Sequence, residues 1–468
     1  MEAVTEVLFS ISANINRYLS DYVLVLLLVG TGVFFTLKTR FVQIRCFGDG
    51  LRRIIKSPDN KENNGNGLTS FQSLMTSVAA QVGTGNIIGA CGAILIGGPG
   101  AIFWMWVIAF FGMATIYAES VLAIKTRSVK ADGTFLGGPV YYIQEAFSGK
   151  FGKVLSVFFS SAVVISLGFM GAMVQSNAIS EAVGSVSGLA HWKTGLILAL
   201  LCSFIFIGGV KRIASVAEKV VPVMALLYIM IGIITLFINF KHIPETLGMI
   251  FKYAFIPNAI IGGGIGTALK TTVSQGVKRG LFSNEAGMGS TPHAHALANV
   301  KRPHDQGVVA MFGVFIDTFI VLSVTALVVI STLYTEGGIL HGLCGDSYIS
   351  ATSGSSAIVT KADLMQTAIG EVFGNRDMGN FTVAICLTFF AFTSIIGWNF
   401  FGKINFEYLF GKKATVCYSV IAIVFVFLGS CFPTDLVWEL SDTFNNIIVI
   451  PNVLALLRLS KTVEKESQ

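Results

Sequence analysis

Residues 81–89 read Gln81-Val82-Gly83-Thr84-Gly85-Asn86-Ile87-Ile88-Gly89, inside an apolar run from about Phe71 to Ile96. A hydroxyl, a carboxamide and backbone groups that glycine lets leave helical geometry stand together here. A phosphate loop is excluded, because no Gly-Lys-Ser/Thr follows. Two readings stay open. Gly85 and Gly89 suit close packing of helices through small residues. Alternatively the helix is unwound, and its freed N–H and C=O groups join Thr84 and Asn86 in holding a ligand.

Other residues offer related chemistry. Thr393 and Ser394 stand side by side in AFTSIIGWNFFG. Their hydroxyls suit a hard cation, or bond back to the carbonyl one turn earlier. Asp317 sits in VFIDTFIVL. An ionisable group in such a run is costly and is a functional hypothesis by default; ion ligation and structural pairing both fit. Glu119 lies nearer the end of its segment and reads as gating or structural. His293, His295 and His304 have no carboxylate or cysteine set at metal spacing, and are expected to be solvated or to cap helix ends. The seven cysteines are scattered without a C-x-x-C, which implies neither a disulfide framework nor a zinc site.

The elements that position these groups follow from composition. The chain has 468 residues, 53% hydrophobic and 12% charged, with a mean hydropathy of +0.73. Soluble domains carry roughly 25% charged residues. The apolar residues fall in blocks of about 20, the length of a bilayer-crossing helix. The chain reads as an all-α polytopic membrane protein with about eleven spans. They lie near 20–37, 70–97, 100–124, 154–183, 194–210, 216–240, 258–290, 306–333, 379–402, 414–431 and 435–457. The first follows an acidic start with no early basic run, so a cleaved signal peptide is not expected.

Charge gives the expected topology. Alternate connecting segments (38–69, 125–153, 211–219, 278–302, 403–413, 458–468) hold 25 of the 32 Lys and Arg residues. Cytoplasmic loops carry this excess, which places the N-terminus outside and the C-terminus inside a cell membrane. The net charge of +6 is explained by this distribution and indicates no nucleic-acid partner. The Asn/Gly-rich stretch 61–67 reads as a cytoplasmic link.

The seventh span is anomalous. It carries glycines at 262–264, 266, 276, 280, 287 and 289, with Lys270, Lys278, Arg279, Asn284 and Glu285. Spans two to six (70–240) and seven to eleven (258–457) form five-helix units of opposite orientation. Residues 1–69 are then an extra helix and linker, and 458–468 a cytoplasmic tail. Each unit opens on a glycine-interrupted helix. Paired interruptions in inverted halves point to a transporter's midplane site, which favours the unwound reading.

The strings SVAAQVGTGNIIGA, FLGGPVYYIQEA (135–146) and GLFSNEAGMGSTPHAHA (280–296) resemble those of the alanine or glycine:cation symporter family. The likeness runs from about residue 66 to 457. It implies the inverted-repeat fold of the leucine transporter, in the amino acid-polyamine-organocation superfamily. It also implies symport of alanine, glycine or, in some members, glutamine, coupled to Na⁺ or in some cases H⁺, with no other cofactor. No obligate protein partner is evident.

A zwitterion needs donors for its carboxylate, and half-helix N-termini supply them. Thr84, Gly85 and Asn86 are the candidates. Gln275, Phe282, Ser283, Asn284, Glu285, Gly287 and Met288 are candidates near the second break, whose position is open over several residues. Phe282 or Met288 would cap a small side chain. Phe169, Met173 and Gln175 face the pocket or pack as core, and Trp398 walls it or packs. By the resemblance, Thr393 and Ser394 hold sodium against carbonyls around Gln81 and Thr84, with Asp317 a weaker candidate. Gly137, Gly138 and Pro139 are expected to turn an inner loop near the cytoplasmic gate. A channel would show a ring-forming filter. A membrane enzyme would need a nucleophile elbow, zinc motif or nucleotide loop, and the sequence has none of these.

Overall fold

Thr69 starts the first interrupted helix. Its hydroxyl accepts from Gln72 N at 3.0 Å, and Gln72 Oε1 accepts from Thr69 N at 3.1 Å. This reciprocal cap satisfies two of the N–H groups a helix start leaves unpaired. The helix, Ser70–Gln81 (α2), breaks at Val82–Thr84 and resumes through a wide turn at Gly85–Gly89 into Ala90–Gly97 (α3), bent by 53°. The structure is a computed structural model. It describes residues 24–56, 67–129, 133–256, 265–341, 348–350, 357–432 and 434–468, with Ser12 and Asn16. The expected link at 61–66, most of the expected outer N-terminus and the glycines at 262–264 lie outside the described residues.

Among the described residues, seven helices are long and apolar enough to cross a bilayer. They are Ala101–Lys125 (α4), Gly149–Ser187 (α6), Gly209–Ile238 (α8), Pro303–Leu333 (α11), Arg376–Phe410 (α12), Lys412–Gly429 (α13) and Thr434–Arg458 (α14). The bent pair α2–α3 makes an eighth, and the shorter apolar helices Val25–Lys38 (α1) and His191–Ile207 (α7) occupy two more expected spans. The seventh expected span is Ile265–Asn284 (α9), a turn, and the single helical turn Pro292–His295 (α10). A short helix, Pro139–Ala146 (α5), precedes α6. The expected tail is partly a helix, Ser460–Ser467 (α15).

Burial sorts these helices into core and rim. The apolar window of α4 is 83% buried, against 28% for α8 and 33% for α13. Exposed Val223, Leu226, Ile233 and Phe237 give α8 the surface that lipid accepts without penalty. One end of the bundle gathers charge. Lys38 pairs with Glu464 at 2.9 Å, Lys125 with Glu466 at 2.8 Å and Arg53 with Asp305 at 3.1 Å. Helix α15 is thereby docked against the ends of α1 and α4.

The first interrupted helix lies flush on α12. A Cβ on Gly397 would stand 2.8–2.9 Å from the Ala80 backbone N, Cα and Cβ. Gly397→Ala therefore forces the two helices apart, and overpacking of this kind costs about 1–3 kcal/mol. The expected result is a lower melting transition in detergent than that of Gly48→Ala, where a Cβ meets nothing within 4 Å. Equal melting of the two variants contradicts the close approach.

Candidate functional site

An intact helix would pair Ala80 O with Thr84 N and Val82 O with Asn86 N. The extended Val82 (ψ 94°) undoes both pairs. Thr84 N turns to Gln175 Oε1 at 3.4 Å, and Asn86 N to Gly83 O at 3.2 Å. The Asn86 side chain accepts from Gly83 N at 2.9 Å. The freed carbonyls face α12, where Ser394 Oγ lies 3.3 Å from Ala80 O, 3.3 Å from Val82 O and 3.1 Å from Phe390 O. One hydroxyl carries one proton. Ala80 O and Val82 O, which have lost their helical donors, share that proton with Phe390 O, and the freed pair beside the hydroxyl suits a hard monovalent cation.

Thr393 points elsewhere. Its hydroxyl is satisfied by Phe389 O at 3.1 Å and Phe390 O at 2.9 Å on its own helix, beside Met224 Sδ. Of the two local readings the back-bonded one describes its geometry, so the adjacent hydroxyls are parted.

Asp317 lies on a wide-turn segment, Phe315–Leu322, within α11. Its Oδ1 accepts from Asn86 Nδ2 at 2.7 Å, and its Oδ2 from Thr318 Oγ1 at 2.7 Å; Ser283 Oγ is 3.1 Å from both oxygens. Asn86 Nδ2 also donates to Asp317 O at 3.0 Å, while Asn86 O accepts from Thr325 Oγ1 at 2.7 Å. Every one of these residues is buried. The Thr84 hydroxyl and Asn284 Nδ2 are buried without a hydrogen-bond partner. Buried polar groups are nearly always paired, so such orphans call for an explanation.

The second break begins after Asn284. Glu285 adopts φ +56°, Gly287 +87° and Gly289 +77°, a region that is strained for a residue bearing Cβ and free for glycine. Gln81 Nε2 donates to Asn284 O at 2.7 Å, tying one break to the other. Glu119 accepts from Gly289 N at 2.9 Å, Gly287 N at 3.3 Å and Asn452 Nδ2 at 2.6 Å. Asn452 also holds Gly287 O at 2.9 Å and receives the Tyr142 hydroxyl of α5. Glu285 accepts from Trp398 Nε1 and Ser290 Oγ. Trp398 therefore reaches the second break from α12.

Phe169 and Met173 pack among the surrounding helices. Phe169 stacks on Phe425 and Tyr418 at 4.7 and 5.7 Å, as core. The Met173 backbone packs against Gly429. Gln275, Phe282 and Met288, the last within the second break, line a cavity of about 310 Å³ with Lys278, Arg279 and Asp442. Lys278 and Arg279 thus stand within α9, ahead of the break, and not in the basic connecting segment where the charge pattern placed them. Two of the three histidines are not solvated, and His304 is half-buried. His293 and His295 are fully buried, His293 against Asn405 at 2.7 Å and His295 against Gln306 at 2.9 Å; His304 meets the Tyr117 hydroxyl at 2.8 Å. Gly138 (φ +124°) makes the turn into α5, where His293 lies against it. Asn452, Thr325 and Tyr142 carry no local sequence signal.

At the charged end the two interrupted helices are latched. Leu68 N donates to Leu297 O at 2.9 Å and Asn299 N to Leu68 O at 2.8 Å. Arg127 donates to Ala296 O at 3.1 Å and packs 3.9 Å over Phe135. Burial there lowers the guanidinium's pKa from its ordinary value.

Two interrupted helices, meeting at their breaks inside a multi-pass bundle, define a secondary transporter. Solved structures share the fold. MhsT in complex with L-phenylalanine matches with a TM-score of 0.56 at 13% identity, over 86% of this chain and 98% of that one. A manganese transporter from Eremococcus coleocola matches at 0.53 and 12%, over 82% and 78%. The chain belongs to the sodium:alanine symporter family, whose model matches residues 5–468. The sodium/alanine symporter AgcS of Methanococcus maripaludis is 38% identical over 98% of this chain and 96% of its own. A putative sodium/proton-dependent alanine carrier of Bacillus subtilis, YrbD, is 38% identical over 96% and 90%. The probable sodium/glutamine symporter GlnT of the same organism is 36% identical over 96% and 87%.

Proposed function

We propose that this protein couples Na⁺ entry to uptake of a small neutral amino acid, alanine or glycine, by alternating access. The observation that carries the reading is the convergence of Ala80 O, Val82 O and Phe390 O on Ser394 Oγ, at 3.1–3.3 Å. Na⁺ among these oxygens would hold the Val82–Thr84 turn open. The turn presents the N–H of Thr84, whose 3.4 Å contact to Gln175 is weak enough for a substrate carboxylate to displace. Thr84 Oγ1, Gly85 and Asn86 complete that end, with Trp398 as a wall. Asp317 with the hydroxyls of Ser283 and Thr318 offers a second oxygen cluster for a cation, oriented by the donor Nδ2 of Asn86. Ion and substrate then favour the same turn, which is coupling in the thermodynamic sense. The basic end, with α15, is the cytoplasmic one, and its latch of Leu68 on Leu297 and Asn299 is a closed inner gate.

Radiolabelled alanine, glycine and glutamine, offered to proteoliposomes under Na⁺, Li⁺ or proton gradients in turn, test this. Alanine or glycine uptake driven by Na⁺ is the expected outcome; glutamine uptake alone moves the substrate assignment to the GlnT pattern. No uptake of any of the three under every gradient refutes the proposal. Ser394→Ala should raise the Na⁺ concentration for half-maximal uptake about tenfold, since a bond to a charged group contributes about 1.5–3 kcal/mol. Thr393→Ala should change it by less than about threefold, because its hydroxyl serves its own helix. The opposite ranking removes Ser394 from the ion site.

A further inference from the structure

A groove of about 640 Å³ opens on the bundle beside the latch. Its walls are the α7–α8 turn, the end of α12, the first turns of α13, residues 134–137 and, from the latch, Leu68 and Leu297. None of the residues that line it belongs to either break, and its inner wall is the outer side of the latch, Leu68 and Leu297. Its volume falls within the usual range of ligand clefts, about 300–1,000 Å³.

The groove is amphipathic. Phe206, Val210, Ile404, Val416, Val420 and Ile423 supply an apolar floor and lip. Val416 and Val420 are 69% and 58% exposed, on a helix whose apolar window is 33% buried. The lining also carries three lysines, Lys211, Lys403 and Lys412, against one carboxylate, Glu407. Lys211 and Lys412 are exposed. Lys403 is 8% exposed, and its Nζ donates to Phe206 O at 2.9 Å. A lysine is rarely so buried. An ammonium has three donors, and Phe206 O takes one of them. An excess of cations above a slot open to hydrocarbon complements an anion joined to an alkyl chain. Basic pockets between helices at the cytoplasmic face bind anionic head groups on this principle.

We propose that this groove binds one anionic phospholipid, its phosphate on Lys211 and Lys412 above Lys403 and its acyl chain along Val416, Val420 and Ile423. The lipid would bridge the α7–α8 turn to α13, joining rim helices from the two halves of the chain.

Native mass spectrometry of delipidated protein in detergent tests this, with phosphatidylglycerol and phosphatidylcholine titrated separately. One phosphatidylglycerol should bind in preference to phosphatidylcholine. The double variant Lys211→Gln/Lys412→Gln should weaken that binding about tenfold or more. Val420→Trp, which fills the slot without touching a charge, should weaken it comparably. Lys461→Gln/Lys465→Gln, on exposed positions of α15 at the same end of the bundle, should leave it unchanged. The substituted lysines and Val420 are exposed, so folding is expected to survive, and melting curves check it. Equal binding of the two lipids overturns the proposal. So does a loss no larger in the groove variants than in the α15 variant, which would mean diffuse attraction to a basic surface. Displacement of the lipid by inorganic phosphate alone overturns it too, because the chain would then contribute nothing.

Discussion

Asn86→Ala is expected to lower sodium-driven uptake by at least about a hundredfold. The side chain accepts from Gly83 N at 2.9 Å and donates to Asp317 O at 3.0 Å and Oδ1 at 2.7 Å. All of these groups are buried, so water does not replace what is lost. A bond to a charged group contributes about 1.5–3 kcal/mol, and each buried group left unpaired costs about 1–3 kcal/mol more. Two such losses exceed the roughly 2.7 kcal/mol that a hundredfold change in rate requires. The loss falls where the first break meets Asp317 of α11 and, through Ser283, the end of α9. Asn86→Asp preserves the shape but sets a second carboxylate against Asp317, and like charges at that distance cannot both ionise readily. It should be as inactive as Asn86→Ala. Uptake and melting, measured on the same preparations, separate transport from folding. Uptake within about threefold of the unsubstituted protein in either variant removes Asn86 from this role.

Much of this centre was legible in the chain because lipid is a strict solvent. Unpaired backbone in hydrocarbon costs several kcal/mol per group, so Gly-Thr-Gly-Asn in an apolar run announces a cavity or a tight packing site. Asp317 stood out for the same reason. What pairs with what did not. Asn86 and Asp317 are 231 residues apart, and Asn452 and Glu119 are 333 apart. No local pattern joins them.

Helix rotation hid a second part. Thr393 and Ser394 are adjacent, so roughly 100° separates them around α12. Which one meets the broken helix depends on packing at Gly397, not on residue type. The second break was expected anywhere within several residues. Its true start after Asn284 leaves Lys278 and Arg279 inside α9, facing Asp442, where a charge count alone assigned them to a connecting segment. The buried histidines were missed for a related reason. Their partners Asn405 and Gln306 come from other helices, and only those make burial of an imidazole tolerable.

Glu119→Ala should reduce uptake to near background, and Glu119→Gln should reduce it about tenfold. The carboxylate of α4 is the acceptor for three donors at the second break: Gly287 N, Gly289 N and Asn452 Nδ2, at 3.3, 2.9 and 2.6 Å. The two glycine amides point at it because their positive φ turns them out of the helical ladder, and they need an acceptor that the ladder no longer supplies. Alanine leaves all three buried donors unmet, opens a void and lowers the melting transition. Glutamine keeps one oxygen for Gly289 and Asn452, yet turns an NH₂ toward Gly287 N, exchanging a bond for a donor–donor contact. The ordering of the variants is the informative result. Glutamine as damaging as alanine would mean that the negative charge matters more than the acceptor geometry. Near-normal uptake and melting in Glu119→Ala would mean that the break holds its shape without α4. Tyr142→Phe, which removes only the hydroxyl reaching Asn452 from α5, should fall between Glu119→Gln and the unsubstituted protein, because it loosens the same strap at one remove.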